Sequence, residues 1–120
     1  MKKILIIDDE ENIRLLLKSI LKENGEIRMA GEGKEGFEIF ETEHPDLILL
    51  DIMLPDITGV ELLQKIREKD KNVKVVMITA YSTLDSVIDL MDIKINGYIK
   101  KPFNIADVRK EINKILKSKK

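Results

Sequence analysis

In the opening stretch "MKKILIIDDEEN", an apolar run over residues 4–7 meets Asp8, Asp9, Glu10 and Glu11 without a break. Carboxylates held this close repel one another, and burial adds to the cost of keeping each ionised, so solvent, a helix N-terminus or a ligand must neutralise them. Three further residues end apolar runs in the same way: Asp51, Thr79 and Lys101. Oxygen donors without His or Cys select Mg²⁺ or Mn²⁺ over zinc, and Mg²⁺ usually takes one or two carboxylates while keeping waters that a phosphate can displace. By residue type, Asp9 and Asp51 suit direct coordination and Asp8 coordination through water. A phosphoryl group in transfer spreads charge over three oxygens, which a metal, the Lys101 ammonium and the Thr79 hydroxyl can neutralise and orient. Asp51 is the natural nucleophile, because it stands alone and aspartate can form an aspartyl phosphate.

These residues can act together only if the chain gathers them. Short apolar runs at 4–7, 27–30, 47–50, 73–78 and 98–100 read as strands, and they alternate with segments of helical period. Ile13, Leu16, Leu17, Ile20 and Leu21 form the first apolar stripe, with Gly25 expected as its C-terminal cap. The second helix, over 34–43, turns Phe37 and Phe40 inward. The third carries Val60, Leu63 and Ile66, the fourth Leu84, Val87, Ile88 and Met91, and the fifth Ile105, Val108, Ile112, Ile115 and Leu116. Strand alternating with helix predicts a parallel sheet covered on both faces, an α/β doubly wound fold of five βα units. Ligands in such sheets bind beyond the carboxyl ends of the strands. Asp8 and Asp9 follow strand one, Asp51 strand three, Thr79 strand four and Lys101 strand five, so three carboxylates, a hydroxyl and an ammonium converge on one edge.

Taken singly, each has an ordinary explanation. Acidic residues favour helix N-termini, and Glu10 and Glu11 are assigned that task. Asp51 alone could be a turn residue, Thr79 ordinary strand composition, and Lys101 a surface lysine. Their conjunction at the strand ends carries the argument.

At 120 residues, with 43% apolar and 36% charged, the chain suits one globular domain over residues 1–120. Lys plus Arg (21) nearly balances Asp plus Glu (22), so net charge gives no general attraction to nucleic acid or an anionic membrane. Cys is absent, and no apolar stretch reaches the length of a signal h-region or a membrane span. A cytoplasmic location is expected.

The segments "ILIIDDE", "PDLILLDIMLPDITG", "VVMITAYSTLDS" and "GYIKKPF" resemble the receiver domain of bacterial two-component response regulators. The likeness runs over essentially the whole chain and is greatest to the stand-alone sporulation phosphorelay and chemotaxis types. It implies a flavodoxin-like five-stranded parallel sheet in the order 2-1-3-4-5, with Asp51 accepting a phosphoryl group from a partner's phosphohistidine. It further implies that Asp8 and Asp9 hold Mg²⁺ with Asp51 and the backbone carbonyl of Met53, that Lys101 pairs with the acidic cluster and then the phosphate, and that Thr79 bonds a phosphoryl oxygen. Tyr98 matches the aromatic that moves with Thr79 in a two-state switch. Ala80 leaves room for phosphate entry, Met53 and Tyr81 occupy positions that tune hydrolysis and point to a long-lived phosphoryl state, and Lys101-Pro102 matches a constrained peptide. Expected partners are a sensor histidine kinase or histidine phosphotransferase, docking near Ile13, Leu15, Pro102 and Phe103, and a downstream protein target. Direct nucleic-acid or membrane binding is not expected, and the chain should be a monomer or a weak phosphorylation-dependent dimer. It would act by protein contact alone or as a piece of a longer regulator, with self-limited aspartyl phosphotransfer and autodephosphorylation rather than enzymatic turnover.

Departures from the family pattern sharpen the expectations. Lys94 and Ile95 replace a usual Gly-Ala, removing a left-handed cap; Thr58 replaces an Asp or Asn before Gly59; Glu26 makes the second strand a more solvated edge. One rival is a small Asp-nucleophile phosphatase, which would carry Asp-x-Asp after the first strand and a cap segment, neither of which this chain has. Another is a degenerate receiver that only binds partners. His44, before Pro45, is biased to extended backbone and unsuited to phosphotransfer from a helix. Leu15 off the stripe is ordinary exposure, and Met29, Met53, Met77 and Met91 are expected to fill core.

Overall fold

Strands β1 (Lys3–Ile7), β3 (Leu47–Asp51) and β4 (Lys74–Thr79) are almost continuously apolar because both of their faces are covered. β2 (Glu26–Ala30) and β5 (Gly97–Lys100) are the edges, and the all-parallel order is β2-β1-β3-β4-β5. The computed structural model describes residues 2–80 and 93–117. The expected fourth helix, with Met91, and Tyr81 lie outside the described residues.

Strand side chains alternate between two cores. Ile4 and Ile6 join Leu47, Leu49, Val76 and Ile78 beneath α1 (Glu11–Leu21) and α4 (Ile105–Lys117). Leu5 and Ile7 join Ile48, Leu50, Val75 and Met77 beneath α2 (Gly33–Glu43) and α3 (Gly59–Lys69). Strand ends fall within one residue of the expected bounds. Glu26 is exposed at the edge, as its charge implied.

Several local expectations are corrected. Leu16 (38% exposed) and Ile105 (46%) leave their stripes for the surface, since Leu17, Ile20 and Leu21, and Val108, Ile112 and Ile115, already fill the space over the sheet. Gly25 is no left-handed cap: α1 closes at Lys22 in right-handed conformation, and no described glycine has positive φ. Gly25 is needed because a Cβ there would collide with the Lys2 carbonyl. His44 is not extended but left-handed at φ 50°, closing α2 with its N–H on the Phe40 carbonyl; the helix end outweighs the bias that Pro45 imposes. Met77 fills core, Met29 is half-buried, and Met53 is 55% exposed.

The departures have structural answers. Thr58 caps α3, its hydroxyl accepting the Glu61 N–H at 3.1 Å and donating to Glu61 Oε1 at 3.2 Å. No left-handed residue occurs at Lys94, Ile95 or Asn96. Arg67 ties that segment down instead, donating to the Lys94 carbonyl at 3.0 Å and Asn96 Oδ1 at 3.2 Å, with two more bonds to the Asp70 and Val73 carbonyls.

Candidate functional site

The site grows from strand ends that the register aligns. Ile7 pairs with Leu50, which sets Asp8 level with Asp51, and Asp51 pairs with Ile78, one residue before Thr79. Thr79 pairs with Lys100, and the Lys101 N–H donates to the Thr79 carbonyl at 2.7 Å. Asp8, Asp51 and Thr79 are buried, whereas Asp9 and Ala80 are exposed and Tyr98 is half-buried in β5. Lys101 precedes a cis peptide to Pro102.

Lys101 gathers the charges. Its Nζ lies 3.0 Å from Asp8 Oδ2, 3.2 Å from Asp51 Oδ2 and 3.3 Å from Glu10 Oε1, with only 13% of its side chain exposed. Glu10, assigned by sequence to the helix start alone, forms no side-chain cap and turns to this lysine. Burial opposes the ammonium, but the Asp8 and Asp51 carboxylates outweigh it and raise the Lys101 pKa. Burial, then the nearby Asp8 charge, raise the pKa of Asp51; Lys101 and the Met53 N–H on Asp51 Oδ1, at 3.2 Å, pull it back only in part.

The donor set suits a hard divalent cation. Carboxylate oxygens of Asp8, Asp9, Glu10 and Asp51 can all lie within 4.8 Å of one another. Asp8 Oδ2 is buried and, despite the Lys101 charge 3.0 Å away, has no hydrogen bond of proper geometry among the described residues, so an acceptor remains to be satisfied. Oxygen-only donors with one lysine fit Mg²⁺ or Mn²⁺ and not zinc.

Two contacts anchor the β3–α3 loop that follows Asp51. Gly59 lets α3 start against the end of β3, its N–H donating to the Ile52 carbonyl at 2.7 Å where a Cβ would strike the Asp51 carbonyl. Asp56 accepts the Gly33 and Lys34 N–H groups at 2.8 and 2.9 Å, capping α2 from the β3–α3 loop, and those bonds lower its pKa. Beside the pocket, Glu10, Ile13, Leu16, Ala80, Pro102 and Phe103 line a hollow of about 300 Å³ that Lys101 also borders. Leu16, which sequence placed inward, lies there, and Leu15 (51% exposed) is not among its described lining residues. Glu10, Leu16 and Arg14, which bonds the Asp8 carbonyl at 2.7 Å, escaped sequence reasoning. The signal available was their place at the N-cap and in the first two turns of the helix that follows the acidic pair.

Comparison with known proteins agrees with this geometry. Residues 4–113 match the family described as response regulator receiver domain. Sporulation initiation phosphotransferase F of Bacillus subtilis is 34% identical over 116 residues, covering 96% of this chain and 94% of that protein. The response regulator VraR of Staphylococcus saprophyticus is 36% identical over 93% of this chain but only 55% of its own length, so this chain spans about half of that relative. A CheY-like receiver domain from Methanospirillum hungatei superimposes with a TM-score of 0.88 at 36% identity, covering 97% and 94% of the two chains. TrrA of Thermotoga maritima, solved in complex with Mg²⁺-BeF, gives 0.85 at 40% identity over 96% and 99%.

Proposed function

Because this chain belongs to the response regulator receiver domain family, we propose that it is a phosphorylation-controlled signalling switch in which Asp51 takes a phosphoryl group from a phosphohistidine on a partner protein. The observation that carries this is the meeting of Asp8, Glu10 and Asp51 on one nearly buried ammonium, Lys101, with Asp9 at hand for a metal. Asp8, Asp9, Asp51 and the Met53 carbonyl would hold Mg²⁺, a choice that the Mg²⁺-BeF complex of TrrA supports. Bound there, the ion supplies positive charge against the carboxylates and the phosphoryl oxygens.

This chain's residues do the rest. An Asp51 carboxylate oxygen attacks phosphorus, the O–P bond forms as the N–P bond breaks, and the phosphohistidine ring, already protonated on its other nitrogen, takes the N–P electron pair and leaves as neutral imidazole. Lys101 favours the ionised form of Asp51 and then pairs with the new phosphate, and the Thr79 hydroxyl donates to a phosphoryl oxygen. Ala80 leaves the entrance open, and Met53 at the rim limits water. Tyr98, two residues past the Arg67-anchored segment, follows Thr79 and passes the change to the β5 edge. The hollow by Ile13, Leu16 and Phe103 receives the helical partner, a histidine kinase or phosphotransferase; the target lies downstream. The whole chain acts as one receiver domain, with turnover limited to its own aspartyl phosphate.

Incubation with a labelled phosphohistidine protein tests the proposal. Acid-stable, base-labile label should appear with Mg²⁺ and vanish with chelator, and the Tyr98 ring signals should shift as it appears. Absence of label, or label indifferent to chelator, would overturn the reading.

A further inference from the structure

Three of the acidic groups have visible support, and the fourth does not. Asp8, Glu10 and Asp51 contact Lys101, and Asp8 Oδ1 also accepts the Glu10 N–H at 2.9 Å. No hydrogen bond or ion pair holds the Asp9 carboxylate among the described residues, so its place depends on its backbone. The peptide that joins Asp8 to Asp9 carries the Asp8 carbonyl, and Arg14 Nη1 donates to that oxygen at 2.7 Å. The Asp8 N–H is fixed in turn by the Ala30 carbonyl at 3.1 Å.

Gly31, directly after Ala30, explains how Arg14 fits. Its φ is not positive, so the backbone does not require glycine; what the bare Cα provides is room for the arginine head. A Cβ at Gly31 would lie 3.1 Å from Arg14 Nη1 and 3.6 Å from Cζ, so the guanidinium rests on the bare Cα of the neighbouring turn. The β2–α2 turn thus seats an arginine of α1 that holds the peptide plane from which Asp9 hangs.

We infer that Arg14, seated on Gly31, is a positioning residue that sets the Asp8–Asp9 peptide and through it the affinity of the site for a divalent cation. This rests on the reading of the acidic pocket as a Mg²⁺ site. Supporting groups behind metal ligands typically govern affinity by about 10–100-fold. Charge alone points the other way, since removing a cation near the pocket would tighten metal binding. The sign of the effect therefore separates positioning from electrostatics.

The test is an NMR titration of the ¹⁵N-labelled chain with MgCl₂. Arg14→Ala should weaken Mg²⁺ binding about tenfold and displace the Asp9 amide signal in the metal-free protein, because that N–H belongs to the same peptide. Gly31→Val should do the same by displacing the guanidinium, and the double variant should be no weaker than Arg14→Ala, because both act through one contact. If Arg14→Ala lacks a dispersed, folded spectrum, Gly31→Ala supplies the measurement, with a smaller loss of affinity and the same Asp9 displacement. Affinity equal to or tighter than wild type in the variant measured, an unmoved Asp9 amide, or additive losses would overturn the inference. A wild type that binds no Mg²⁺ would instead overturn the reading of the pocket beneath it.

Discussion

Replacing Lys101 by alanine is expected to slow phosphoryl uptake by about 10²–10³-fold, the loss typical when one preorganised electrostatic contact to a transition state is removed. Two functions disappear together. Lys101 lies 3.2 Å from Asp51 Oδ2, where it opposes the burial and the Asp8 charge that drive this carboxyl toward its protonated, non-nucleophilic form. In the proposed transfer it would also stand where charge accumulates on the phosphoryl oxygens. Lys101→Arg restores charge but replaces a compact ammonium with a planar fork, which does not fit three carboxylates arriving from different strand ends, so rescue should be partial. Initial rates of labelling from a small phosphodonor check this. An alanine variant within about threefold of wild type would show that the lysine is structural.

The second large effect is on stability without metal. In chelator at neutral pH, Asp51→Asn is expected to melt above the wild type. The folded-state pKa of Asp51 is raised above its ordinary value of 3.8, with burial the first cause and Asp8 the second, outweighing Lys101. A raised folded pKa means that the stability held by the protonated group is present below the unfolded value and lost as pH rises through the folded one. Asparagine keeps the neutral form at every pH, so the variant's advantage should shrink as the solution is acidified toward 3.8. The lost Asp51–Lys101 contact works against the variant, but Asp8 and Glu10 still hold the ammonium. Mg²⁺ should reverse the order: at a hundredfold excess over Kd it adds about 2.7 kcal/mol to a protein that binds it, or roughly 10 °C for a domain of this size. Thermal melts over a pH series, with and without Mg²⁺, decide the matter. A variant no more stable than wild type in chelator, or a wild type indifferent to Mg²⁺, would contradict the account.

What could be read from the letters was whatever depends on period and on position after a strand. The apolar runs gave all five strands to within a residue, and Asp8, Asp51, Thr79 and Lys101 converge because parallel strands must end on one side. What could not be read was what depends on which neighbour reaches a site first. Leu16 looked inward by period, yet Leu17, Ile20 and Leu21 fill the sheet face and leave it beside the pocket. Glu10 looked like a helix-start residue, yet Lys101, 91 residues later, comes within 3.3 Å of it. Asp56, which no period or strand end marks, caps α2 more than 20 residues earlier in the chain. Gly25 looked like a cap because glycine usually earns its place through φ, whereas here it makes room for the Lys2 carbonyl. Such contacts between distant residues leave no periodic trace.

The central claim is that Asp51 carries the phosphoryl group, and intact-protein mass is its most direct test. Wild type and Asp51→Ala are incubated side by side with Mg²⁺ and a small phosphodonor, then quenched in acid. The wild type should gain the mass of one phosphate, lose it in base, and the variant should gain none. No gain in the wild type, or a gain that survives Asp51→Ala, would contradict the account.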